Sequence, residues 1–187
     1  DFVQRGLLDP LGMRDTVWRL RPGDGARLAS LYDVSGETPQ LVESGRASAY
    51  ADPVTLYAGG AGLVSSAPDY LAFLSMLLND GLHGRVRLMT PETARLIRSD
   101  ILPAGVSAGN GLGHGFGGTY RRVADPRPGG ETVGAFGWSG AAGTLGWIDP
   151  SRRLAVAAMI QAFPLGAVRL NGPLRAALSQ DLGLDAA

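Results

Sequence analysis

Apolar positions recur at helical spacing in three separated stretches. Phe2, Val3, Leu7 and Leu8 form the first, and Asp9-Pro10-Leu11-Gly12 is expected to end that helix, because the residue before a proline is pushed out of the α region. Leu11 to Thr16 then reads as a tight turn into a short extended piece. Leu71, Leu74, Leu77 and Leu78 form the second set, on a helix predicted from Pro68 to about Asn79. Its start is well marked: Ser65 or Ser66 caps free amides, Pro68 sits in the first turn, and Asp69 suits the positive end of the dipole, while Gly81 stops it. The third set, Leu170, Leu174, Ala177, Leu178 and Leu182, predicts a helix over Val168 to Leu182. A shorter capped helix is expected from Thr90-Pro91-Glu92 through Ala94, Leu96 and Ile97 to about Asp100.

Elsewhere the pattern shortens to that of strands. Thr119 to Val123, Val133 to Trp138 and Thr144 to Ile148 read as β, and Asp125 to Glu131 as a proline- and glycine-rich connection. Leu154 to Ile160 is apolar almost throughout, as expected of a strand covered on both faces. Arg19 to Tyr57 is irregular, with one helical turn expected over Ala26 to Tyr32, and fits a surface excursion or a cleft rim. Helices first, then consecutive strands, then a closing helix give an α+β order with an antiparallel sheet.

The stretch Gly134-Ala135-Phe136-Gly137-Trp138-Ser139-Gly140-Ala141-Ala142-Gly143-Thr144 lies between two of these strands. Missing side chains there either let a ligand approach the backbone, making a substrate wall, or merely allow a hairpin to bend. Gly137, Ser139 and Ala141 also match the nucleophile elbow of α/β-hydrolases. That match fails, because strand and turn rather than a helix follow, and both histidines, His83 and His114, precede Ser139. Ser139 is therefore a poor nucleophile. Gly113 to Gly118 satisfies G-x-G-x-x-G but precedes a strand, where a dinucleotide site needs a helix. Gly59 to Leu63 lacks the lysine of a phosphate-binding loop. His114 is either a polar group at a cleft or a loop histidine satisfied by backbone.

Composition removes several chemistries. Of 187 residues 17 are basic and 17 acidic, so no polyanion or membrane surface is implied as a partner. No run is long and apolar enough to span a membrane. The absence of cysteine excludes a thiolate metal site and a cysteine nucleophile, and two isolated histidines do not make a zinc site, so no cofactor is expected. Every basic residue is arginine, which excludes a lysine base. The chain begins at Asp1, in what reads as a helix already under way, and is expected to be a fragment or processed product.

The order of motifs resembles the C-terminal half of the serine β-lactamase and penicillin-binding-protein superfamily, on the side of class C β-lactamases and their esterase relatives. The matching segments are Pro10 to Thr16, Gly60 to Tyr70 with Phe73 and Met76 to Gly81, and Gly137 to Thr144 with Trp147 to Pro150. The resemblance implies a β-lactamase/transpeptidase-like partial fold: residues 1–104 mostly a helical lobe, residues 105–187 sheet strands and the last helix. It also implies acyl transfer through a serine ester. Trp138, Ser139 and Gly140 would occupy the K-T-G positions on the cleft strand, with Trp138 in the lysine's place, and the Ala141 amide would be one oxyanion donor. The S-x-x-K and tyrosine motifs are absent from these residues, so the partners implied are a small ester or amide substrate and an N-terminal half of the same protein. Trp138 in place of a cation favours neutral esters. β-Lactamase or D-alanyl-D-alanine peptidase activity, and a non-catalytic binding module, are the alternatives.

Overall fold

The capping signals at residues 65 to 69 produce the central helix. The computed structural model describes residues 1–164 and 166–184. In it Ser66 accepts a hydrogen bond from the Asp69 amide, 3.4 Å away, and opens a helix over Ala67–Leu78. Asp80 and Gly81 both take positive φ and end it. The N-terminal segment is also helical, but it does not stop at Asp9. A π-type turn over Gln4–Leu8 runs into a short helix, α1 (Asp9–Leu11), and the left-handed Gly12 closes it. The wider π turn ahead of Pro10 accommodates a ring that would crowd an ordinary α turn.

These two helical pieces are tied by one carboxylate. Asp69 in the first turn of the central helix (α2, Ala67–Leu78) accepts from the Asp15 amide at 2.8 Å and from the Thr16 hydroxyl at 2.9 Å. Thr16 is almost fully buried and its hydroxyl also meets Ser65 at 2.8 Å. Leu8, Leu11 and Met13 thereby pack on Leu74, Met76 and Leu77 of α2. Met76 is part of this buried stripe, whereas Leu71, expected inside, is exposed.

The strands begin earlier than the pattern suggests. A 3-10 turn at Asp24–Ala26 precedes β1 (Leu31–Asp33), so the helical turn expected over Ala26 to Tyr32 is instead a turn and a strand. β2 (Gln40–Glu43) pairs antiparallel with β1. β3 (Leu82–His83) and β4 (Val86–Arg87) make a small hairpin that leads to α3 (Pro91–Ile97), capped by Thr90. The main sheet follows: β5 (Leu112–Gly115), β6 (Gly118–Arg121), β7 (Phe136–Ser139), β8 (Leu145–Asp149) and β9 (Leu154–Ala158), antiparallel and in chain order. β10 (Ala162–Phe163) then crosses to pair parallel with β1, joining the early strands to the end of the chain.

Neighbouring residues of β8 point to opposite faces and fix the layers. A Cβ at Gly146 would run into Tyr70 and lie 3.2 Å from Leu74, so that face lies against α2. Trp147 lies on the other face, under α4 (Asn171–Leu182), with the Arg175 guanidinium 3.8 Å over its ring. Phe136 and Ile148, paired across β7 and β8, complete the core on the α2 side. β9 corrects one expectation. It pairs only with β8, forms the edge of the five-stranded sheet, and is half-buried throughout rather than covered. A continuous apolar run does not distinguish a central strand from an edge strand. α4 corrects another: its buried residues are Arg175 and Ser179, while Ala177 and Leu182 of the expected stripe are exposed.

Candidate active-site wall

β7 is the strand whose far end is open. Beside β8 it is paired at four positions, from Phe136 opposite Ile148 to Ser139 opposite Leu145. Beside β6 it is paired only at Phe136 with Tyr120 and Gly137 with Thr119. Beyond Gly137 no residue of β6 pairs with the strand among the described residues, so the backbone of Ser139 is left unpaired on that side. Trp138 is 54% exposed, a large apolar surface for a position inside a sheet. Ser139 is exposed as well.

The turn after β7 continues the open edge. The Gly140 amide donates to Thr144 O at 2.8 Å, and the Gly143 amide to Gly140 O at 3.0 Å. Between them Ala141 is exposed, and its N–H has no acceptor among the described residues. Ala142 O accepts from the Ala162 amide at 2.9 Å, which ties the turn to β10.

The glycines of this stretch serve the chain's own packing. A Cβ on Gly137 would overlap the Gly146 carbonyl and Trp147 on β8, and one on Gly140 would overlap the Thr144 hydroxyl. Gly143 combines φ +82° with an Ile160 methyl 2.7 Å from where its Cβ would sit. Only glycine fits such places without displacing a neighbour. At these three positions the group that approaches closely is another part of the protein. The open side is supplied by the short pairing of β6.

His114 joins the wall from β5. Its Nδ1 lies 2.7 Å from Gly115 O, so Nδ1 carries the proton in the neutral ring and Nε2 holds the lone pair. The ring meets Trp138 edge-on, centroids 5.5 Å apart at 65°. The histidine is satisfied by backbone at one nitrogen, as one reading expected, but it stands in strand β5 rather than in a loop, and its ring lies beside Trp138. Behind it, the His114 amide donates to Asp100 Oδ1 at 3.2 Å, and Arg122 hydrogen-bonds Asp100 Oδ2. That guanidinium, with the Leu102 and His114 amides, holds the Asp100 carboxyl down to about 2 against the effect of burial.

The structure thus keeps Trp138, Ser139, Gly140 and Ala141 on one accessible edge and adds His114, which the sequence placed twenty-four residues upstream with no register to connect them. Ser139 Oγ has no hydrogen bond to a base among the described residues. Among those residues no cluster of three or more histidine and acidic side chains is placed to hold a metal ion, and no helix is long and apolar enough to cross a membrane.

A five-stranded antiparallel sheet between α2 and α4 is the architecture of the β-lactamase/transpeptidase-like fold. The chain belongs to the β-lactamase family, whose model matches residues 1–180. Among curated proteins it is similar to Protein Rv1367c of Mycobacterium tuberculosis, 34% identical over 176 residues that cover 87% of this chain and 43% of that one. Among solved structures it is similar to EstCE1, a hydrolase with promiscuous acyltransferase activity, with a TM-score of 0.74 and 25% identity over 92% of this chain and 48% of that one. The fold is also that of simvastatin synthase LovD from Aspergillus terreus, with a TM-score of 0.77 at 20% identity, covering 96% of this chain and 49% of that one. The chain spans less than half the length of each of these proteins.

Proposed function

We propose that this chain forms the sheet-side wall of a β-lactamase-like serine hydrolase that acts by acyl-serine transfer on uncharged carboxylic esters. The observation that carries the reading is the free edge of β7, with Trp138 exposed where it leaves β6 and the Ala141 N–H unpartnered among the described residues one turn further on. In this reading the nucleophilic serine, its lysine and a tyrosine come from polypeptide outside these 187 residues. The serine oxygen attacks the ester carbonyl, and the oxyanion that forms is held by the Ala141 amide and a second N–H, from the nucleophile's own residue. The serine's proton passes to the lysine–tyrosine pair, which delivers it to the leaving alcohol as the carbon–oxygen bond breaks, and water, losing a proton to the same pair, then cleaves the acyl group from the serine. Trp138, Ser139 and Gly140 line the substrate, and the indole offers apolar surface without charge.

Neutral esters are favoured by the chemistry of this wall. It carries an indole where a cation would be needed to hold a carboxylate, and the likeness to EstCE1, a hydrolase with promiscuous acyltransferase activity, supports acyl transfer as the reaction. The test uses the chain together with the remainder of its protein, treated with a fluorophosphonate and read by intact mass. Label on a serine outside these residues, with ester turnover, is the expected result. Ala141→Pro, which removes the amide hydrogen, should lower kcat by about 10²–10³. No label on any serine makes the protein a binding module instead, and label on Ser139 refutes the assignment of that residue to the substrate wall.

A further inference from the structure

We propose that a cleft built from residues 19–26 and 45–51 binds a small ligand with an apolar body and a doubly charged oxyanion group, a phosphate monoester or a dicarboxylate, gripped by Arg19 and Arg46. Backbone contacts make the cleft. On one side the Leu20 amide donates to Tyr50 O and Arg19 Nε donates to Ala51 O, both at 2.8 Å, which stitches the two stretches together. On the other, 3-10 turns at Asp24–Ala26 and Gly45–Ala47 touch through their glycines. A Cβ on Gly25 would lie 3.1 Å from Gly45 O, and one on Gly45 would overlap the Leu28 carbonyl. With no side chain at that contact, backbone lines the cleft at Gly25 and Gly45 and the space beside it stays open. It amounts to about 680 Å³, within the range of about 300–1,000 Å³ usual for small-molecule sites.

Charge decides what the cleft can hold. Arg19, Arg21 and Arg46 line it, and Arg27 shares the acids that serve Arg21. Arg21 Nε donates to Asp24 at 2.8 Å, and Arg27 donates to both oxygens of Asp15, at 2.9 and 2.8 Å. These two pairs cancel. Glu43 is engaged by the Ser48 hydroxyl and the Ala49 amide, and Asp52, next after Ala51, bridges to no arginine among the described residues. Arg19 therefore has a carbonyl partner but no carboxylate, and the Arg46 side chain makes no hydrogen bond among the described residues. Two positive charges are left uncancelled on one cleft.

A guanidinium presents parallel N–H donors that match a carboxylate or phosphate two at a time, which a pair of water molecules or a neutral ester does not reproduce. Leu20, Pro22, Ala26 and Ala51 give the same cleft apolar surface, which fits the body of the ligand. None of the residues assigned to the β7 wall takes part.

The experiment uses the chain together with the remainder of its protein, titrated calorimetrically with phenyl phosphate, with phthalate and with phenol at about pH 8, where a phosphate monoester carries close to two charges. One or both anions should bind one to one, the tighter naming the oxyanion the site prefers, and phenol should not bind. Arg46→Gln should weaken that binding about tenfold, the loss of one charge-assisted donor group. Because the substitution breaks no hydrogen bond among the described residues, the variant should melt as the parent does. Arg14→Gln, at an exposed arginine that does not line the cleft, should leave the affinity unchanged. The proposal is overturned if neither anion binds at millimolar concentration, if phenol binds as tightly, or if Arg46→Gln and Arg14→Gln change the affinity equally. Binding is read as heat, without turnover or fluorophosphonate labelling, so this cleft and the β7 wall can fail separately.

Discussion

Glu131→Gln should cost far more stability than Arg175→Met, although the two residues form one ion pair. Arg175 is 8% exposed, on the buried face of α4, with Nη2 2.6 Å from Glu131 Oε1 and Nε 2.7 Å from Asn171 Oδ1. Burial pulls its guanidinium below the ordinary arginine range, and the Glu131 carboxylate opposes that shift. Glu131 also accepts from Arg121 Nε at 2.7 Å and from Arg121 Nη2. Arg175 depends on Glu131 for its counter-charge, whereas Glu131 keeps Arg121 if Arg175 is lost. Neutralising Glu131 thus strands a buried cation over Trp147, at a cost of about 3–5 kcal/mol. Replacing Arg175 by methionine retains the contact with Trp147 and removes a buried cation. It also removes the Nη1 donor, which has no partner among the described residues, so the cost should stay within about 1–2 kcal/mol. With a urea slope of about 1–3 kcal/mol/M, the Glu131→Gln midpoint should fall by about 1–5 M. In the double variant the methionine should recover at least half of that loss. The reasoning is refuted if Arg175→Met costs as much as Glu131→Gln, or if the double variant is no more stable than Glu131→Gln alone.

Three further expectations follow from packing and charge. Gly146→Ala places a methyl into the Tyr70 ring beneath β8 and should cost about 1–3 kcal/mol in calorimetry; an unchanged melting temperature would mean that α2 does not sit on this strand. Asp69→Ala removes acceptors from the Asp15 amide and the buried Thr16 hydroxyl and should cost about 2 kcal/mol, with the N-terminal segment exchanging its amide hydrogens faster while α4 does not. Asp100 and Asp125 are both held at about 2, chiefly by hydrogen bonds from Arg122 and Arg127. Because their folded values lie below the ordinary 3.8, their contribution is complete above about pH 4 and lost as pH falls towards 2. Acid unfolding followed by circular dichroism should lose part of this steepness in Asp100→Asn, and an unchanged acid limb would contradict the pairing.

Local signals were legible in the sequence because their physics is local. Ser66, Pro68, Asp69 and Gly81 bound α2 within a residue or two, since caps and dipole preferences act inside a single turn. Thr90 likewise marked the start of α3, which ends at Ile97, short of the expected Asp100. The order of strands from β6 to β9 and the contiguous run from Trp138 to Ala141 were also readable, as were the segments around Asp15, Thr16 and Asp69 that carry the family resemblance. Their hydrogen bonding to one another was not. The missed strand β1 has its parallel partner β10 more than a hundred residues away, and no window on Leu31–Asp33 contains that partner.

The sequence by itself determined the elements with local stop and start signals, the class of fold and the exclusion of lysine and thiolate chemistry. Tertiary structure alone decided which faces are buried and which edge is free. The stripe of α4 shows the reason: leucine spacing favours one face, but Trp147 and Glu131, brought from distant strand and loop, make the face with Arg175 and Ser179 the buried one. The site shows it again. Trp138 is exposed because the pairing with β6 ends at Gly137, and His114 meets it because β5, β6 and β7 share a register that no single strand encodes. Pairing between strands depends on both partners at once, so it exists only when the chain is folded.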